Sequence, residues 1–275
     1  MPLFFIRGST TRSGKTMAGT LCKVVVFMPE WAVGSTQLYY ELAGEQAKTI
    51  TLIHGLGSSG LVFDKIKEAG EFHGYRFLFI DLPGFGRSDK PDEFDYAMDS
   101  QAEMVIRLLD YLKIRETALI GHSMGGIIGQ IMAERFPVSR FINCEGNLVF
   151  EDCSLSAEIA RKGLAEFERA GFDELKEMAE GTPFYEGYCQ TTAFAMYHSA
   201  RQLVESCQTG NLLERFAKLP LPKLYVYGER TKGRRRSEQL LTQHGVPLYY
   251  IPKSGHNMIC ENPAEFYRVA AEFLV

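Results

Sequence analysis

The sequence predicts an α/β fold, a mostly parallel central sheet flanked by helices with an inserted helical cap, and three observations carry that expectation. First, Gly121-His122-Ser123-Met124-Gly125 reads G-x-S-x-G between a short apolar run at 117–120 and apolar residues at helical spacing over 127–135. This pattern suits a strand-to-helix turn so tight that a Cβ two residues before or after the serine would strike its neighbours, leaving the Ser123 hydroxyl exposed at the sheet edge. Second, short apolar runs alternate with helical periodicity on both sides of that turn. Third, the alternation stops over 147–218, where helical patterns take over in a stretch too long for a connection.

Composition narrows the classes further. With 275 residues, 45% of them hydrophobic, the chain can bury one large α/β core with an insertion. A net charge of −4 argues against nucleic acid or an anionic membrane as partner. No run of eighteen apolar residues exists, so no transmembrane helix is expected. The six cysteines, Cys22, Cys144, Cys153, Cys189, Cys207 and Cys260, lack C-x-x-C spacing and read as reduced core thiols of a cytoplasmic protein. Neither metal-ligand spacing nor a flavin or nicotinamide fingerprint occurs, so no metal and no cofactor is expected.

Taken in order, residues 1–27 differ from the rest. They carry Arg7, Arg12, Lys15 and Lys23 with no acidic residue, and Gly8 to Thr16 resembles a phosphate-binding loop after the apolar run 3–6. One strand and one helix cannot bury a core, so 1–27 is expected to be an atypical extension, open alternatives being a start at Met28 or an organelle presequence. The core is expected over 28–146 and 219–275, with the cap at 147–218. Strands are expected at 34–42, 48–53, 75–80, 117–120, 140–145, 222–228 and 247–251. Helices are expected at 98–112, 127–135 and 263–274, and in the cap at 156–170, 172–180, 191–207 and 212–218.

Asp81-Leu82-Pro83-Gly84-Phe85-Gly86-Arg87-Ser88-Asp89 follows the third expected strand, His54-Gly55-Leu56-Gly57 the second, and Ser254-Gly255-His256-Asn257 the last. With the serine pentapeptide, these motifs resemble those of the α/β-hydrolase fold family over about residue 31 to the C-terminus. The resemblance implies Ser123 as nucleophile, His256 as its base and the backbone N–H groups of Leu56 and Met124 as the oxyanion hole. It implies a structural part for His54, which opens its loop, and for Asp81, which bonds loop amides.

The acid is the open position. The family usually has an aspartate after the penultimate strand, where this chain reads Gly228-Glu229-Arg230-Thr231, and threonine cannot hold an imidazolium by charge. The fold also allows an acid at the end of the strand after the nucleophile helix, where Glu145 stands; Glu229 and Asp152 are the alternatives. Together these residues imply a serine hydrolase that cleaves a carboxylic ester or related acyl compound through a Ser-His-Glu triad and an acyl-enzyme. Serine at the elbow speaks against chemistry that needs a carboxylate nucleophile. A hydrolase-fold ligand receptor with little turnover is the alternative. The cap aromatics Phe150, Phe184, Tyr185, Tyr188, Phe194 and Tyr197, with Met196, suit an apolar acyl or aryl substrate, although most of them read as helix-packing residues and none is singled out as a site residue. The basic run 230–236 reads as a solvated loop, or as a subsite for an acidic substrate.

Overall fold

The computed structural model describes residues 26–27, 30–33 and 36–275. Its sheet begins with β1 (Val26–Phe27), so the sheet starts inside the stretch expected as an extension. The loop-like motif at 8–16 lies outside the described residues. An unexpected strand, β2 (Glu30–Val33), pairs antiparallel with β3 (Thr36–Ala43), and β3 pairs antiparallel with β1 and with β5 (Tyr75–Ile80). From β5 onward every neighbour is parallel: β5, β4 (Lys48–Ile53), β6 (Thr117–His122), β7 (Val138–Cys144), β8 (Lys223–Gly228), β9 (Leu248–Ile251).

This order makes β4, flanked by β5 and β6, the point where the winding reverses. Loops leaving β4 and β6 therefore meet at one carboxyl edge, where open parallel sheets bind ligands. The central strands are apolar on both faces, as sheets covered by helices require: all six residues of β6 are buried. Leu119 and Phe141 point to one side, against α1 (Met98–Tyr111) and α2 (Met124–Arg135), while Ile120 and Ile142 join the opposite core.

Between β7 and β8 lies the helical insertion, α3 (Ser154–Lys162), a short α4 (Leu164–Glu166), α5 (Phe172–Ala179), α6 (Tyr185–Cys189), α7 (Ala193–Thr209) and α8 (Leu212–Lys218). The single helix expected at 156–170 is two pieces, because Gly163 takes φ +80° and the chain re-enters through a π turn at Phe167–Gly171. α7 starts where the Thr192 hydroxyl caps the Ala195 N–H. Beyond the insertion, α9 (Arg236–Gln243) separates β8 from β9, and α10 (Met258–Glu261) and α11 (Pro263–Leu274) close the chain. Among the described residues no helix is long and apolar enough to cross a membrane. Cys144 and Cys153 are buried thiols, whereas Cys189 is exposed, against the expectation of a core cysteine.

Candidate active site

The site grows from the turn between β6 and α2. Ser123 sits at φ 53° and ψ −120°, backbone that a side chain bearing a Cβ rarely adopts. Its N–H donates to the Cys144 carbonyl at 2.9 Å, and the Ser123 carbonyl accepts from Gly126 N–H at 2.8 Å. The turn is closed from both sides. A Cβ on Gly121 would lie 2.3 Å from the Gly125 carbonyl oxygen, and one on Gly125 would lie 2.1 Å from that of Ile53.

The loop after β4 is shaped independently. His54 is fully buried; its Nδ1–H donates to the Gly55 carbonyl at 2.8 Å and its Nε2 accepts from Leu82 N–H at 3.0 Å. Burial lowers its proton affinity. His54 is thus spent on joining two loops. Asp81 braces the same edge by accepting from Gly60 N–H at 2.8 Å and Arg87 N–H at 2.9 Å. The N–H groups of Leu56 and Met124 donate to no acceptor among the described residues, which leaves them free for a ligand oxygen.

Glu145 follows β7 with φ 44°, a second strained residue at the same edge. Its carboxylate is buried and takes four donors. Oε1 accepts from Gly228 N–H at 3.0 Å and from the Thr231 hydroxyl at 2.5 Å. Oε2 accepts from His256 Nδ1–H at 2.9 Å and from Arg235 Nη2 at 3.3 Å. Burial on its own would push this carboxyl up, but the His256 bond and charge, the Thr231 hydroxyl and the Gly228 amide outweigh it and hold the pKa at about 2. With Nδ1–H given to Glu145, His256 keeps Nε2 free to accept a proton. His122, the residue before the serine, supports this base: its ring lies 4.8 Å from that of His256, and its Nε2–H donates to the His256 carbonyl at 2.8 Å. Burial, followed by the neighbouring His256, lowers the pKa of His122 to about 3 and keeps it neutral. Ser123 and His256 line one cavity without a hydrogen bond between them in this structure, as is frequent in unliganded sites.

A family model described as alpha/beta hydrolase fold matches residues 48–170. The chain is 28% identical over 267 residues to a serine hydrolase, BPHL, of Mus musculus, covering 88% of this chain and 84% of that protein. It is 33% identical over 108 residues to the uncharacterized hydrolase YugF of Bacillus subtilis (strain 168), where the match spans 39% of each chain. The crystal structure of the enol-lactonase from Burkholderia xenovorans LB400 superimposes with a TM-score of 0.73 at 21% identity, covering 90% of this chain and 99% of that one. The chain has the alpha/beta hydrolase fold.

The cavity of this fold measures about 270 Å³. Its floor is Gly55, Leu56, Ser123 and His256, and its apolar wall is Leu155, Phe184, Tyr188 and Leu203. Of the cap aromatics singled out in the sequence, Phe184 and Tyr188 therefore reach the site. Phe150 and Tyr185 are exposed, Met196 and Tyr197 are packed in the core, and Phe194 stacks against His198 away from the cavity. The alternative acids do not reach His256. Glu229 Oε2 accepts from Lys253 N–H on the exposed loop, and Asp152 spends its carboxylate on Ser237 Oγ and Leu148 N–H. The parts that two residues play at the site were not read from the sequence. Thr231, noted there only as the residue in the usual place of the acid, bonds the acid, and Arg235 is the member of the basic run 230–236 that turns inward.

Proposed function

We propose that this α/β-hydrolase-fold protein is a serine esterase that cleaves small carboxylic esters or lactones through an acyl-enzyme on Ser123. One observation carries the reading: a buried, ionised Glu145 holds His256 Nδ1–H at 2.9 Å beside a serine on a strained elbow. A serine hydroxyl needs such an oriented base to become a nucleophile. In the reaction Ser123 Oγ attacks the acyl carbon as its proton passes to His256 Nε2. The carbonyl oxygen becomes an oxyanion held by the N–H groups of Leu56 and Met124. Collapse breaks the bond to the leaving oxygen, which takes the proton from His256. Water, deprotonated by the same nitrogen, then releases the acid and restores the serine. The names of the mouse serine hydrolase and of the enol-lactonase accord with this chemistry. Because the cavity is slightly below the roughly 300–1,000 Å³ of drug-sized sites, short acyl groups are the expected substrates.

Labelling with a fluorophosphonate probe, located by peptide mass, is expected to modify Ser123 in the wild type and nothing in Ser123→Ala. Turnover of p-nitrophenyl esters is expected to fall as the acyl chain lengthens past the cavity. An unlabelled Ser123 in folded protein would reject the enzyme and favour a ligand-binding role.

Thr231 offers a second, milder test. Thr231→Val removes one of four donors to Glu145, and a hydrogen bond to a charged group is worth about 1.5–3 kcal/mol. Three donors remain, so kcat/KM is expected to drop roughly tenfold, with Thr231→Ser restoring most of it. No change in either variant would mean that Thr231 contributes nothing to the orientation of the acid.

A further inference from the structure

Five cations lie in the run 230–236, and four of them are accounted for at the surface. Arg230 pairs with Glu261, Lys232 lies over the Tyr250 ring, and Arg234 and Arg236 are exposed. Arg235 differs. Its side chain is only 20% exposed, its Nη2 lies 3.3 Å from the Glu145 oxygen that also accepts from His256, and its Nη1 lies 3.3 Å from the Asp152 carbonyl. Among the described residues no other lysine or arginine lines the cavity.

We infer that Arg235 is a positioning residue that holds the outer oxygen of Glu145 against His256 and sets the pH at which the site becomes active; this rests on reading Ser123, His256 and Glu145 as a triad. Three steps lead there. A carboxylate held on Oε1 alone, by Gly228 and Thr231, can still rock about that edge, and Arg235 pins the second oxygen. Arg235 also donates Nη1 to the Asp152 backbone carbonyl at 3.3 Å, which fixes the guanidinium in the orientation that sets Nη2 against Glu145. Finally, the guanidinium shares Glu145 Oε2 with His256, so it draws on the carboxylate charge that would otherwise act on the ring alone. The titratable and charged groups around His256 are Glu145, Arg235 and neutral His122, and those that the insertion adds to the same cavity are Asp152, Cys153 and Tyr188.

The test is the pH dependence of kcat/KM for p-nitrophenyl acetate in wild type, Arg235→Met, Arg235→Gln, Arg235→Lys and Arg234→Met. Loss of the guanidinium charge is expected to raise the midpoint of the acid limb by about 0.5–1 pH unit in both uncharged Arg235 variants. Arg235→Lys should return the midpoint most of the way. Arg234→Met, which removes an exposed neighbouring charge, should leave it in place. An unmoved midpoint in the uncharged variants would overturn the inference even if their rates fell, because a merely structural residue lowers the rate without shifting the limb. Unfolding of both uncharged variants while Arg235→Lys folds would make Arg235 a stability residue and overturn it as well. A wild type that hydrolyses no ester would instead overturn the triad reading on which the inference stands.

Discussion

Glu145→Gln is expected to lower kcat by about 10³–10⁴-fold with little change in KM, since replacing a triad acid by its amide preserves shape while offering the base a neutral partner. Glu145 now accepts four donors, and its depressed pKa of about 2 keeps it ionised throughout any practical assay range. An amide can present only one oxygen, so one edge of the side chain would turn an N–H₂ toward existing donors. If that edge meets His256, the ring is driven to the tautomer that carries its proton on Nε2, where it cannot accept from Ser123. Glu229→Gln serves as the comparison, because Glu229 holds only the exposed Lys253 amide. Steady-state kinetics on a short p-nitrophenyl ester separates the cases. Comparable, small losses in both variants would remove Glu145 from the mechanism.

The acid also illustrates what was legible in the residues alone. A carboxylate at the end of the strand after the nucleophile helix was visible as a candidate, because strand ends are readable from where an apolar run stops. That its side chain reaches His256 depends on β7 and β8 being adjacent and on Glu145 taking φ 44°, and neither follows from local pattern. Thr231 shows the same limit from the other side. The sequence reveals a missing aspartate but not that the substitute hydroxyl bonds the acid's Oε1. Arg235 is hidden among five cations, and only the path of the loop into α9 separates it from Arg234 and Arg236.

For the fold, the central parallel strands were the most readable elements because burial on both faces leaves short apolar runs, as in Ala118-Leu119-Ile120 of β6. The edge was least readable. β1 spans two residues and β2 four, too short for a periodicity to declare itself. In the insertion, apolar spacing continues through Gly163, so the break there is a backbone event that side-chain pattern does not record.

The second large effect concerns the fold and the site together. Gly125→Ala is expected to destabilise the protein by roughly 3–5 kcal/mol, lowering Tm by about 10 °C or more, and to abolish labelling of Ser123 in whatever protein remains folded. The added Cβ would stand 2.1 Å from the Ile53 carbonyl oxygen and 2.7 Å from that of His54. These are backbone atoms of the strand end and loop that also carry Leu56, so the clash cannot be relieved by turning a side chain. Relief requires moving α2 away from β4, which would carry the Met124 N–H away from the Leu56 N–H and open the two-donor site between them. A fully folded Gly125→Ala with normal labelling would show that the elbow tolerates a wider turn. Gly129, on the same helix and one turn on, gives the contrast: the nearest atoms to its added Cβ would be side-chain ones, the Phe141 ring at 2.9 Å and Ile53 Cδ1 at 3.8 Å, and not backbone. Gly129→Ala should therefore cost less stability and leave labelling intact, because its clash lies against the core and not against the loop that carries the oxyanion donor.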